Sequence, residues 1–171
     1  MGVYFVPDLE NCELYPFKAA IEADVATMMT AHVMFPAFDE QYPATMSYTI
    51  LHDLLRQKFG YQNVIVSDDM EMKAVRGRWP LEEQLDLSCR ATVDVFLVCS
   101  DIELQWNAFE TLVHLQEQDK KHDQLAIDSF RRIQALRKRF FLHRPTIPDL
   151  DIVGSAQHRD LCAWIEQHGA V

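Results

Sequence analysis

Apolar residues fall into two alternating kinds of run along this chain. The segments Ala26-Thr27-Met28-Met29-Thr30, Val64-Ile65-Val66-Ser67 and Asp94-Val95-Phe96-Leu97-Val98-Cys99 are short and almost unbroken in apolar or β-branched residues, which predicts strands buried on both faces of a parallel sheet. Between them the apolar positions open out to helical spacing. Pro16 suits the first turn of a helix reaching about Ala23, and Ser47 is a candidate N-cap for a helix whose stripe is Ile50, Leu51, Leu54 and Leu55, with Gly60 as its left-handed stop. Pro80 opens a helix through about Ala91. Ile102 to about Gln116 and Asp123 to about Phe140 read as two further helices, the second with Phe130, Ile133, Leu136 and Phe140 inward. After the Pro145–Pro148 connector, His158 to about His168 reads as a last short helix capped by Gly169.

Helices alternating with strands predict an α/β fold of parallel strands joined by right-handed crossovers. An open doubly wound sheet and part of a closed (β/α)₈ barrel share these βα units, so the pattern alone leaves both open. Three strands in 171 residues leave two long sheet edges without an obvious cover, and such an edge is a surface for association with another polypeptide.

Composition narrows the classes of function. An apolar share of 49% is that of an ordinary globular protein, and sixteen basic against twenty-six acidic residues give a formal charge of -10, which disfavours nucleic acid and anionic membranes as partners. The local cluster Arg131, Arg132, Arg137, Lys138 and Arg139 reads as a solvated helix face. Cys12, Cys89, Cys99 and Cys162 contain no C-x-x-C pair, and Met1 to Val6 is too short for a signal sequence, so the expectation is free thiols in a reducing cytoplasm. No apolar stretch approaches the roughly 20 residues of a membrane helix, which predicts a soluble chain.

The candidate chemistry sits where the second strand ends. Val64-Ile65-Val66-Ser67 runs into Asp68-Asp69-Met70-Glu71-Met72, delivering two adjacent carboxylates to a C-terminal strand end, the side on which α/β folds keep their chemistry. On the residues alone Asp68 is equally a helix N-cap or an arginine partner. Asp69 fits a supporting carboxylate or a cap for the next turn; adjacent acids of this kind also hold Mg²⁺ in phosphoryl-transfer proteins, but the chain has five glycines and no G-x-x-x-x-G-K-[ST] loop. His32 ends the preceding strand on the same side. His52, His114, His122, His143, His158 and His168 read as solvent-facing, and no histidine pair has metal-ligand spacing.

An ordered set of segments changes the weighing. Tyr15-Pro16-Phe17-Lys18-Ala19-Ala20-Ile21, Met29-Thr30-Ala31-His32-Val33-Met34-Phe35-Pro36, Tyr42-Pro43-Ala44-Thr45-Met46-Ser47, Leu54-Leu55-Arg56, Phe59-Gly60-Tyr61 and Val66-Ser67-Asp68-Asp69-Met70-Glu71-Met72 together resemble family 3 glycoside hydrolases, in particular the bacterial β-N-acetylhexosaminidase branch. The tail Val153-Gly154-Ser155-Ala156-Gln157-His158-Arg159-Asp160-Leu161 is similar to the end of that branch. The resemblance implies a partial (β/α)₈ TIM-type barrel of about three βα units plus C-terminal helices. Its divisions are a divergent segment over residues 1–13, the C-terminal part of the barrel over 14–144, and a tail with a short helix over 145–171. It also implies retaining hydrolysis of terminal β-linked N-acetylglucosamine from cell-wall fragments, with Asp68 as the catalytic nucleophile. His32 and Met72 stand as substrate-binding residues, with no metal and no organic cofactor.

A retaining glycosidase also needs a proton donor opposite its nucleophile. In the hexosaminidase branch this is an Asp and His pair on a K-H-F-P-G-H-G-D-T type loop upstream of the Pro16 segment; nothing before Pro16 matches it, and no His-Gly-Asp occurs in the chain. The expectation is therefore a chain with little or no turnover alone, standing as a shortened reading frame, as one half of a split barrel, or as a non-catalytic sugar-binding scaffold. The DNA upstream of the Met1 codon distinguishes the first of these from the others.

Overall fold

The structure is a computed structural model in which residues 12–141 and 150–169 are described. Most of the 1–13 segment, His143 and the Pro145–Pro148 connector lie outside the described residues. The chain divides into two compact units, Met1–Lys138 and Arg139–Val171.

The first unit holds helix α1 (Tyr15–Glu22), strand β1 (Thr27–Met29), a 3₁₀ turn (Ala44–Met46), helix α2 (Thr49–Lys58), β2 (Val64–Asp69), α3 (Lys73–Arg76), α4 (Leu81–Arg90), β3 (Val95–Leu97) and α5 (Ile102–Gln118). Helix α6 (Lys120–Phe141) begins in it and crosses its boundary, and the second unit holds a 3₁₀ turn (Leu150–Ile152) and α7 (Ala156–His168). All three strands are parallel in the order β1-β2-β3, pairing Thr27 with Val64 and Val66 with Val95. The α/β alternation and the three strand positions agree with the apolar runs.

The helix boundaries follow local chemistry. Pro16 stands in the first turn of α1. Ser47 Oγ accepts the Ile50 N–H at 3.2 Å, which caps the start of α2, and Gly60 at φ 74° ends it. Between these points α2 is wound in the wider π geometry, closing with the Phe59 N–H on the Leu54 carbonyl at 2.9 Å. Helix α4 ends in a Schellman turn, in which the Val93 N–H reaches Ser88 O at 3.0 Å and the Thr92 N–H reaches Cys89 O at 2.9 Å. Thr92, and not a glycine, occupies the left-handed position at φ 76°. Gly169 is the C-cap of α7 as expected, its N–H on the Ile165 carbonyl at 2.6 Å, but at φ -66° it does not act through left-handed backbone; a Cβ there would lie 2.5 Å from Ile165 O.

Two apolar clusters flank the sheet. Met28, Leu51, Tyr61, Ile65, Ala91 and Val93 form one, joining α1 and α2 to the strands. Met70, Leu85 and Ala108 form the other, between α4, α5 and the end of β2. Fully burying a side chain such as Ile65 or Leu85 stabilises by about 1.5–3 kcal/mol. The inward stripe expected on α6 is corrected in part. Ile133 and Leu136 are half-buried, but Phe130 is 61% exposed and Phe140, which lies past the first unit's Lys138 boundary, is 49% exposed.

The N-terminal ends of β2 and β3 are sealed by a polar network. Asp94, its side chain fully buried, accepts Arg56 Nη2 and the Ile65 N–H, each at 2.8 Å, on one oxygen; the other takes Ser129 Oγ at 2.6 Å and Arg132 at 2.8 to 2.9 Å. Arg56 also donates to the carbonyls of Tyr61, Asn63 and Thr92 and to Thr92 Oγ1, so the same guanidinium holds the strained Thr92 in place. Arg132 is therefore no part of a solvated face, while Arg131, Arg137, Lys138 and Arg139 are exposed. His122 is likewise corrected from solvent-facing to buried: it is 4% exposed, with Nε2 2.7 Å from Asp86 Oδ1 in an ion-pair contact off the hydrogen-bond axis.

Candidate functional site

The C-terminal end of the central strand gathers the residues that sequence singled out. Between Val66 and Asp69 the β2–β3 register slips, three steps on β2 facing two on β3, where Asp69 pairs with Leu97. This bulge sits on Ser67 and Asp68. Ser67 is fully buried and its Oγ accepts the Leu97 N–H at 2.9 Å, standing in for the carbonyl that the slipped ladder fails to supply. The Met70 N–H then closes on Leu97 O at 2.9 Å. A bulge re-aims the side chains within it, and Asp68 is one of the two residues it holds.

Asp68 is half-buried. Its backbone N–H donates to Thr30 Oγ1 at 3.3 Å, and Thr30 Oγ1 meets Thr45 Oγ1 at 2.7 Å, so the tip of β1 and the fully buried Thr45 hold the Asp68 backbone. Its Oδ1 accepts the Asp69 N–H at 2.8 Å. Among the described residues no lysine, arginine or histidine pairs with this carboxylate.

The carbonyl of Asp69 ties the other two residues to this tip. It accepts the Met72 N–H at 3.0 Å and lies 3.0 Å from His32 Nε2. A carbonyl only accepts, so the network assigns the His32 proton to Nε2 and leaves Nδ1 of the neutral ring as an acceptor. That Nδ1 is buried without a partner. Met72 begins α3 in an extended conformation and is 44% exposed. The Asp69 carboxylate caps the turn through the Glu71 N–H at 3.1 Å.

Sequence reasoning missed Glu71, Cys99, Thr30 and Thr45. Glu71 accepts the Ser100 N–H at 2.6 Å, the Ser100 hydroxyl at 2.5 Å and the Asp101 N–H at 2.9 Å, lashing the β2–α3 turn to the β3–α5 loop. The Asp101 N–H, then the Ser100 hydroxyl and N–H, hold its carboxyl down at about 2. Desolvation, then the charge and hydrogen bond of Asp69, then the charges of Glu71 and Asp68 push the Cys99 thiol up. The strand tips therefore carry a concentrated negative field. A D-x-E spacing after a strand was the available signal for Glu71; the two threonines lie fifteen residues apart and gave none.

The sequence profile described as the glycosyl hydrolase family 3 N terminal domain matches residues 6–136. The chain belongs to glycoside hydrolase family 3. The β-hexosaminidase of Nitrosomonas eutropha is 31% identical over 136 residues, covering 80% of this chain and 38% of that protein. That of Thiobacillus denitrificans is 36% identical over 97 residues, 57% of this chain and 27% of that protein. Among solved structures, the β-N-acetylglucosaminidase of Thermotoga maritima superposes with a TM-score of 0.74 at 32% identity, over 79% of this chain and 30% of that one. A family 3 β-N-acetylglucosaminidase of Paenibacillus sp. gives 0.82 at 30% identity, over 95% of this chain and 32% of that one. The three-stranded sheet with its helices is thus a portion of the family's TIM-type N-terminal domain, and the chain spans 27–38% of these curated relatives.

Proposed function

We propose that this family 3 chain carries the nucleophile of a retaining β-N-acetylhexosaminidase acting on terminal β-linked N-acetylglucosamine. The observation that carries the reading is Asp68 itself: a half-buried carboxylate at the C-terminal tip of the central strand, aimed by a bulge and bonded through a single backbone N–H. One oxygen is fixed and the other is left to react. In the first step Asp68 attacks the anomeric carbon, the bond to the aglycone oxygen breaks, and a glycosyl ester forms; water then attacks that ester, frees the sugar and restores the carboxylate.

His32 and Met72 are the proposed substrate contacts. The unpartnered His32 Nδ1 offers an acceptor to a sugar hydroxyl or amide N–H, and the exposed Met72 side chain offers an apolar edge beside it. The leaving oxygen needs a proton, and neither neighbour supplies it: the Asp69 carboxylate is an acceptor for Glu71, and the His32 proton points at a carbonyl. General acid help is typically worth about 10²- to 10⁴-fold, so turnover of ordinary glycosides by this chain alone is slow or absent. Edges of β1 and β3 that pair with no other described strand support association with further polypeptide. Four free thiols support a cytoplasmic setting.

An aglycone that leaves without protonation bypasses the missing acid. The chain is mixed with 2,4-dinitrophenyl N-acetyl-β-glucosaminide; the expected result is a burst of dinitrophenolate approaching one equivalent and a glycosyl adduct on the peptide containing Asp68, both lost in Asp68→Asn. An adduct elsewhere, or a burst that survives that substitution, overturns the assignment. Saturable sugar binding without any burst would favour a non-catalytic scaffold.

A further inference from the structure

A second cleft lies between the loop that follows β1 and helices α2, α4 and α6, and shares no lining residue with the strand-tip site. Its volume is about 640 Å³, within the size range of small-ligand clefts. Phe38, Tyr42 and Tyr48 line it with aromatic rings, and Tyr42 extends this wall to Trp79 at a centroid distance of 6.3 Å. Tyr48 is 45% exposed; one face of its ring stacks on His52 at 4.2 Å, which holds the ring in place.

The charges around these rings decide what the cleft can take. Arg90 is engaged by both oxygens of Asp86 at 2.9 and 3.0 Å and by Asp119 at 3.5 Å, so its charge is already answered. Asp39 is occupied by the N–H groups of Gln41 and Tyr42 at 2.9 and 3.0 Å. Burial alone would raise its carboxyl, but those bonds and one from Ser47 hold it below its ordinary value. Glu40 and Lys121 remain with heads that bond to nothing in the described residues, one acceptor and one donor of opposite charge. An anion meets Asp39 and Glu40, a cation meets Lys121, and a purely apolar molecule makes no use of the two exposed charged heads. Flat apolar faces combined with hydroxyls that both donate and accept satisfy the whole set.

We propose that this cleft is a second saccharide-binding site, taking a neutral glycan whose C–H faces stack on Tyr48 and Tyr42 and whose hydroxyls are shared between Glu40 and Lys121. It is separate from Asp68 and does not depend on the catalytic role given to that residue. The site also abuts the machinery at the strand tips. Met46 lines the cleft, and its neighbour Thr45 pairs with Thr30, which receives the Asp68 N–H.

Chitotriose is titrated into the ¹⁵N-labelled full chain, into Tyr48→Ala, Lys121→Ala and Asp68→Asn, with inorganic phosphate as a parallel ligand. Expected are amide shifts at residues 38–42 and 121 in the parent chain, binding weakened about tenfold by Tyr48→Ala, and binding unchanged by Asp68→Asn. If Tyr48→Ala fails to fold, the shift map of the parent chain and the Lys121→Ala titration carry the same decision. The proposal is overturned by no saccharide-induced shift at these residues at any soluble concentration. Shifts confined to the strand tips and removed by Asp68→Asn overturn it as well, as does phosphate binding that Lys121→Ala abolishes while chitotriose is ignored.

Discussion

Removing Asp94 should destabilise the first unit more than any other single carboxylate deletion. Its side chain is fully buried and answers Arg56, Arg132, Ser129 and the Ile65 N–H at 2.6 to 2.9 Å. Burial draws the Arg56 guanidinium down from its ordinary value, and the Asp94 charge is the largest influence opposing that effect. Asp94→Ala therefore leaves a cation that is 6% exposed with carbonyl and hydroxyl partners but no anion, and it orphans the Ile65 N–H at the start of β2. Breaking a buried pair by removing one partner costs about 3–5 kcal/mol. With a urea dependence of about 2 kcal/mol per M, the midpoint falls by about 2 M. Asp94→Asn, which keeps an oxygen for Ile65 and loses the charge, should fall between. The control is Asp128→Ala, whose partner Arg131 is 70% exposed and whose loss costs under about 1 kcal/mol. Urea unfolding followed by circular dichroism reads all three. A midpoint for Asp94→Ala no lower than that of Asp128→Ala would show that water reaches the network, and would refute the sealed strand end.

Ser67→Ala removes the acceptor of a buried N–H at the bulge and should cost about 1–3 kcal/mol in the same assay; a loss under about 0.5 kcal/mol would mean that Leu97 finds another acceptor. Gly60→Ala places a Cβ where nothing lies within 4 Å, so its cost is that of left-handed backbone alone, about 1–2 kcal/mol, and Gly60→Asn should recover part of it. Glu71 has a folded-state carboxyl near 2 against an ordinary 4.5, so its contribution is present above 4.5 and disappears as pH falls toward 2. The gap in thermal midpoint between the parent chain and Glu71→Gln should therefore close over that window, and a gap independent of pH would contradict the clamp.

What could be read from sequence was whatever one element determines alone. The strand Val64–Ser67 announced itself because a strand covered on both faces has no polar alternation to hide it, and Gly60 because few other residues tolerate its backbone. Asp68 was legible for the same reason: its place at a strand end is a one-dimensional fact. Arg132 and His122 were misread because helical spacing reports neighbours on one helix, whereas their partners Asp94 and Asp86 come from other elements. The bulge at Ser67 was invisible, since register belongs to a pair of strands. The threonine pair behind Asp68 depended on how the loop after β1 folds back. Phe130 failed differently: an apolar stripe gives the face a helix would bury, not how much of that face its surroundings reach.

The two ends of the sheet treat aspartate in opposite ways, and that contrast bears most directly on function. At the N-terminal end Asp94 is saturated, with two guanidiniums, a hydroxyl and an N–H spending both of its oxygens. At the C-terminal end Asp68 holds one backbone N–H on one oxygen, among the further carboxylates of Asp69 and Glu71. A fold selecting only for stability would treat the exposed end more simply, with a capping hydroxyl or a lysine. Stability at one end and, on the proposed reading, reactivity at the other is the division that barrel enzymes show. The same contrast sets what a partner polypeptide would have to bring. Asp68 needs no further positioning, since Ser67, Thr30 and Thr45 already fix its backbone. On the proposed reading, a proton donor on the opposite face of the sugar is what the described residues leave to be supplied. Adding a polypeptide that bears such a donor should therefore raise turnover of poor leaving groups strongly and turnover of dinitrophenyl glycosides little. An equal gain for both would mean that the added chain repositions Asp68 instead.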